Sequence, residues 1–258
     1  MKYKRVLVLA VALAATTMMV ACGGGEEPAA SAEAPAAPAP APAGEGSTGS
    51  VAGSIAFSNG DPDTEVAMDA DPVCMSLHSE PVLTEKFVVA DGKLANVFVY
   101  VKEGLSGSYS APEESALLDQ TGCQYVPHVS GVQVGQKLVF RNSDQTLHNV
   151  HALPTVNDEF NNGQPFQGME LEKSFDQAEV MIPFKCDVHP WMGAYMAVLD
   201  HPFFAVSAAD GSYMIDGLPA GEYVIEAWHE TMGAQTLAVT VAADTASAAS
   251  FEYAPTAG

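Results

Sequence analysis

Long apolar runs are missing from this 258-residue chain. Its first apolar stretch, residues 6–15, is ten residues long, about half of the ~20 that a membrane-spanning helix requires. Basic residues are scarce as well: 10 Lys and Arg stand against 32 Asp and Glu, a formal charge of −22. Such a surface repels phosphate backbones and excludes nucleic acid as a partner. Between residues 23 and 50 there is no aromatic side chain, so nothing there builds a core. Only four cysteines occur, and no zinc-peptidase motif appears anywhere in the chain.

Lys2, Lys4 and Arg5 followed by the apolar stretch read as a secretory signal. The stretch closes on Met19-Val20-Ala21-Cys22, which resembles the bacterial lipoprotein cleavage box, with Cys22 as the lipidated residue. Met at the first box position departs from the usual Leu. Residues 1–22 are thus expected to be removed or lipidated. Gly23 resembles the sorting signal for an outer membrane, facing the periplasm, or for the cell surface in a one-membrane cell. The membrane would be met through this lipid only. Residues 23–50, rich in Ala and Pro, form an extended spacer that at ~3 Å per residue reaches up to about 80 Å. Without the signal's three basic residues the charge becomes 7 − 32 = −25, a balance suited to a basic protein partner.

The remaining chain reads as all-β. Residues 94–101 alternate, with Val97, Val99 and Val101 on one face and Phe98 and Tyr100 on the other. Residues 137–142, 180–185 and 194–199 are further short strands, and residues 223–228 and 236–241 alternate again. One short helix is expected at 112–119, where Pro112 suits a first turn and Glu113 and Glu114 its positive end. These signals divide the chain into a β-sandwich at 51–200 and a smaller one at 201–258, with the first strand, 51–57, free to join either.

Cysteine use separates cleanly. With Cys22 at the anchor, Cys74, Cys123 and Cys186 remain. In an oxidising compartment Cys74 and Cys123 pair most simply as a disulfide closing a loop of about 50 residues. The alternative is a Cys2His2 zinc site, since His78 follows Cys74 by four and His128 follows Cys123 by five. Either way Cys186 is left over.

Cys186 opens the stretch Cys-Asp-Val-His-Pro-Trp-Met, which ends at Met192. Thiolate, imidazole and thioether within seven residues, between two strands, are three of the four donors of a blue-copper site. A second imidazole must come from elsewhere, and Leu147-His148-Asn149-Val150-His151 supplies it. Joined, these segments resemble the cupredoxins of the amicyanin and plastocyanin kind, Greek-key β-sandwiches. The resemblance covers residues 142–152 and 180–199, and more loosely 80–200. It implies one type 1 copper ion held by His148, Cys186, His189 and Met192, in preference to His151 and Met196, with Asn149 tying the two ligand loops together. It also implies an electron carrier, not an enzyme, serving redox proteins such as basic cytochromes or a copper or haem enzyme. Pro190 and Trp191 would form a docking patch through which the edge of His189 meets solvent. A copper storage, delivery or sensing module is the competing function, and a copper enzyme with an open coordination position is a third. The partners of the ligand imidazoles have no sequence signature. Residues 210–229, with glycines at turns and alternating aromatic or branched residues, resemble the carboxypeptidase regulatory-like, transthyretin-type sandwich, which carries no catalytic residues.

Overall fold

The computed structural model describes residues 47–58 and 63–254. The signal, Cys22 and most of the spacer lie outside the described residues. Within them the protein is all-β, and no helix is long and apolar enough to cross a membrane.

Four sheets build two sandwiches. In the first, a five-stranded sheet runs in the order β10 (Phe160–Gln164), β9 (His148–Ala152), β12 (Glu179–Lys185), β13 (Gly193–Leu199) and β7 (Val129–Gln133). It faces a four-stranded sheet of β11 (Glu170–Lys173), β8 (Leu138–Asn142), β5 (Ala116–Thr121) and β6 (Gln124–Val126). Leu118, Phe140, Val150, Ile182 and Phe184 fill the space between them. In the second sandwich, β14 (Phe204–Val206), β4 (Phe98–Glu103), β16 (Gly221–His229) and β17 (Gly233–Val241) form one sheet. The other is built around β1 (Thr48–Phe57), with β15 (Ser212–Pro219), β2 (Val89–Ala90), β3 (Lys93–Leu94), β18 (Ala246–Ala248) and β19 (Phe251–Tyr253).

Alternation in β4 serves two cores at once. Val97, Val99 and Val101 pack inside the second sandwich, while Phe98 and Tyr100 pack outward with Val129, Ala197, Leu199 and Phe204. This outer layer joins the sandwiches back to back. Gly131 of β7 lies beneath it, where an added Cβ would sit 2.7 Å from the Phe204 ring and 2.8 Å from Phe98. Only glycine lets the two rings approach so closely.

The strand pairing corrects the division drawn at residue 200. β4 pairs with β14 and β16, and β1 pairs with β15, β18 and β19, so residues 48–57 and 89–103 belong with the C-terminal strands. The strands of the first sandwich, β5 to β13, are inserted between β4 and β14. An alternating pattern identifies a strand but not its partner, which is why the sequence did not place this boundary. β1 also begins at Thr48, inside the span assigned to the spacer.

The helix expected at 112–119 is absent; residues 116–121 are β5, which pairs parallel with β8. Sheet pairing overrides a weak helix-start signal there. A helix does occur at α1 (Pro72–Ser76), started by Asp71, whose carboxylate accepts from the backbone N–H of Val73 and Cys74.

Candidate metal centre

Three side chains from two elements converge at one pole of the first sandwich. His148 opens β9, Cys186 follows β12, and His189 lies in the turn before β13. Their ligand atoms all lie within 4.8 Å of one another, and all three residues are buried. The His148 and His189 Nδ1 atoms are 2.9 Å apart, and Cys186 Sγ is 3.9 Å from His189 Nδ1.

The turn is wound by its own backbone. Met192 N donates to His189 O at 2.9 Å, and Cys186 N donates to Met192 O at 3.2 Å. These bonds fold Met192 back onto Cys186, and its side chain is buried with that of Cys186 in the sandwich core. Met196 shares that core from within β13, opposite Ile182 and Ser130. Asn149 joins the two ligand segments: its Oδ1 accepts from Asp187 N at 2.7 Å and lies 3.3 Å from Cys186 Sγ. Tyr125 adds a second tie, its hydroxyl lying 2.6 Å from Asn149 O and 3.1 Å from Lys185 O. Tyr125→Phe removes the donor to the buried Asn149 carbonyl and is expected to cost about 1–2 kcal/mol, read as a lower denaturant midpoint at unchanged slope.

Each imidazole is gripped from behind. His148 Nε2 is 3.0 Å from Asp144 Oδ2, and His189 Nε2 is 3.0 Å from Asp71 Oδ2. An ionised carboxylate only accepts, so both Nε2 atoms carry a proton, and in the neutral imidazoles both Nδ1 lone pairs face each other. Burial raises the Cys186 thiol pKa. His148 and the backbone amides of Asn149, His189 and Val188 outweigh that effect and hold the thiol below its ordinary value. Burial lowers the pKa of His148, but Asp144 and Cys186 carry it above the ordinary imidazole value, whereas at His189 burial prevails over Asp71 and the net shift is downward.

Neither Asp71 nor Asp144 was identified from the sequence. Asp144 sits four residues before His148, a weak local signal; Asp71 is 118 residues from His189 and gives none.

Other candidates fall elsewhere. His151 is three residues on from His148, which in a strand turns it to the opposite face; it contacts Asp187 and Glu159, each at 2.9 Å. Cys74 and Cys123 form a disulfide. His78 contacts Gly122 O at 2.7 Å and His128 contacts Glu230 at 2.7 Å, so the Cys2His2 arrangement is not assembled.

The expected solvent edge of His189 is corrected. His189 is 2% exposed, because the α1 segment and the disulfide cover it, with Cys74 Sγ 3.7 Å from its Nε2. Trp191 is half-buried, its indole N–H donating to Cys123 O at 3.0 Å and its ring 5.0 Å from that of His189. Pro190 alone of the pair is exposed.

No family model matches the chain, and no curated protein matches it. Among solved structures it is similar to a purple cupredoxin from Nitrosopumilus maritimus, at 21% identity and a TM-score of 0.28, over 32% of this chain and 98% of that one. An amicyanin variant in its Cu(I) form is similar at 19% identity and a TM-score of 0.30, over 40% and 98% of the two chains. A Cu-containing nitrite reductase from Thermus scotoductus is similar at 18% identity and a TM-score of 0.29, and the match spans 37% of this chain and 25% of the reductase. The comparisons give no support to the resemblance drawn for residues 210–229.

Proposed function

We propose that the protein binds one type 1 copper ion through His148, Cys186, His189 and Met192 and acts as a one-electron carrier. The observation that carries this reading is the donor set itself. Two imidazole nitrogens with their lone pairs turned toward each other at 2.9 Å, beside a buried thiol, repel one another unless a proton or a metal cation lies among them. Two imidazoles, one thiolate and a weak thioether suit copper better than harder cations. When bound there, copper supplies the Cu(II)/Cu(I) couple. Two sheets behind the ligands, the Asn149 bridge and the Tyr125 hydroxyl keep the donors in place, so little rearrangement accompanies a change of charge. With the buried Met192 as fourth donor no coordination position would be left vacant, which favours a carrier over a copper enzyme. The lipoprotein-like box ending at Cys22, the Ala/Pro-rich spacer sequence and the charge of −25 support a carrier outside the cytoplasm, on the periplasmic side of an outer membrane or on the cell surface. There it would reach basic redox partners.

Optical and spin-resonance spectra of the purified protein with added copper(II) test the reading. An intense blue band with reversible one-electron cycling is expected. A colourless protein that prefers zinc points to storage or delivery, and exchangeable water at the metal points to an enzyme.

A further inference from the structure

We propose that Asp71 and Asp144 are positioning residues for the metal centre, and that the Cys74–Cys123 disulfide is the clamp that holds both of them there. This inference rests on the metal reading above and deepens it.

The two carboxylates occupy matching positions. Asp71 reaches His189 and is itself held by the backbone N–H of Val73 (2.7 Å) and Cys74 (3.4 Å) and by the Thr146 hydroxyl (2.8 Å). Asp144 reaches His148 and is held by the backbone N–H of Gly122 (2.8 Å) and Cys123 (2.7 Å). One carboxylate therefore takes the amide of Cys74, the other that of Cys123, and the disulfide bonds those two residues to each other. Both cysteines are fully buried. The sulfur bridge thus joins the two backbone cradles into one unit behind both imidazoles. Thr146, two residues before His148, binds the carboxylate that serves the other histidine, which couples the cradles a second time.

A carboxylate on the far nitrogen fixes the tautomer and the ring angle and makes the near nitrogen a stronger donor. A stronger, more negative donor set favours the more highly charged metal state. Removing either charge is therefore expected to weaken copper(II) binding relative to copper(I) and to raise the potential. Loss of such an outer partner lowers affinity roughly 10–100-fold; a tenfold change in the copper(II)/copper(I) preference is about 59 mV for one electron.

The test is Asp71→Asn and Asp144→Asn, each copper-loaded, with voltammetry, optical spectra and chelator competition side by side. Asn keeps an acceptor for the backbone cradle while removing the charge, and Asp71→Ser retains a helix cap but not the reach to His189. Asp210→Asn, in an exposed turn far along the chain, controls for net charge. Expected are retained blue colour, a potential raised by about 59 mV or more in Asp71→Asn and Asp144→Asn, and no shift in Asp210→Asn. Cys74→Ala/Cys123→Ala should shift the potential in the same direction without touching either carboxylate. Blue, folded Asp71→Asn and Asp144→Asn proteins at the wild-type potential would overturn the proposal, as would an equal shift in Asp210→Asn. A wild-type protein that binds copper without a blue band would sink the electron-carrier reading instead. Chelator competition would then still decide whether the two carboxylates support the metal.

Discussion

Cys186→Ser is expected to abolish the blue band while leaving the first sandwich folded. Cys186 is the free cysteine among the described residues and is 1% exposed, so no other thiol stands ready to replace it. Serine is nearly isosteric, and its hydroxyl can take over the contacts that the sulfur has with Asn149 Oδ1 and with the His189 N–H. The cost to folding should stay on the order of 1–2 kcal/mol, that of placing a hydroxyl in a partly satisfied buried site. A copper ion held as proposed would lose its soft thiolate and keep only two imidazoles and a weak thioether. The fall in copper(II) affinity should exceed the roughly 10–100-fold that accompanies loss of an outer partner, because a direct ligand is gone. Unchanged colour with unchanged affinity in a folded Cys186→Ser protein would remove Cys186 from the ligand set. The measurements are the visible spectrum and a chelator competition on the same sample.

What was legible in the sequence was local. Cys186, His189 and Met192 lie in one turn, and the need to bring thiolate, imidazole and thioether together is written in their spacing. The strands around them were readable for the same reason: an alternating run such as residues 97–101 announces itself within a few positions. Failures occurred where the deciding contact was distant. β4 was placed with the metal-site strands because its neighbours in sequence are there, yet its partners β14 and β16 lie beyond residue 200. Asp71 supports His189 across 118 positions, and the same segment hides the ring edge expected to face solvent. At residues 112–119, Pro112 and two glutamates spelled a helix start, but the parallel pairing of β5 with β8 was the stronger term. The disulfide between Cys74 and Cys123 was open to reasoning from compartment and cysteine count; its role in gripping two carboxylates was not, since that depends on which backbone amides the fold turns inward.

The second large effect is expected at the junction of the two sandwiches. Glu230, in the turn between β16 and β17, contacts His128 Nε2 at 2.7 Å, and both side chains are 6% exposed. His128 Nδ1 lies 3.1 Å from the carbonyl of Gly193, the residue after Met192, so this contact also braces the end of the metal-site turn. Burial lowers the pKa of His128, but the hydrogen bond and charge of Glu230, with help from Glu85, carry it above its ordinary 6.5. Burial raises the pKa of Glu230, but His128, Tyr195 and His229 bring it below its ordinary 4.5. The two shifts have opposite pH dependence. The contribution of His128 is complete below pH 6.5 and fades as pH rises through the raised value. That of Glu230 is complete above pH 4.5 and fades as pH falls through the depressed value. The ion pair therefore stabilises the protein most between pH 4.5 and 6.5. Glu230→Gln leaves a buried imidazolium without its counter-charge and should cost on the order of 3 kcal/mol inside that window. Outside it the cost should shrink on both sides, because the lone histidine sheds its proton at high pH and the wild-type glutamate gains one at low pH. Denaturant unfolding of wild type and Glu230→Gln across this pH range checks the shape. A difference that is constant with pH would mean that the contact is a neutral hydrogen bond and not an ion pair.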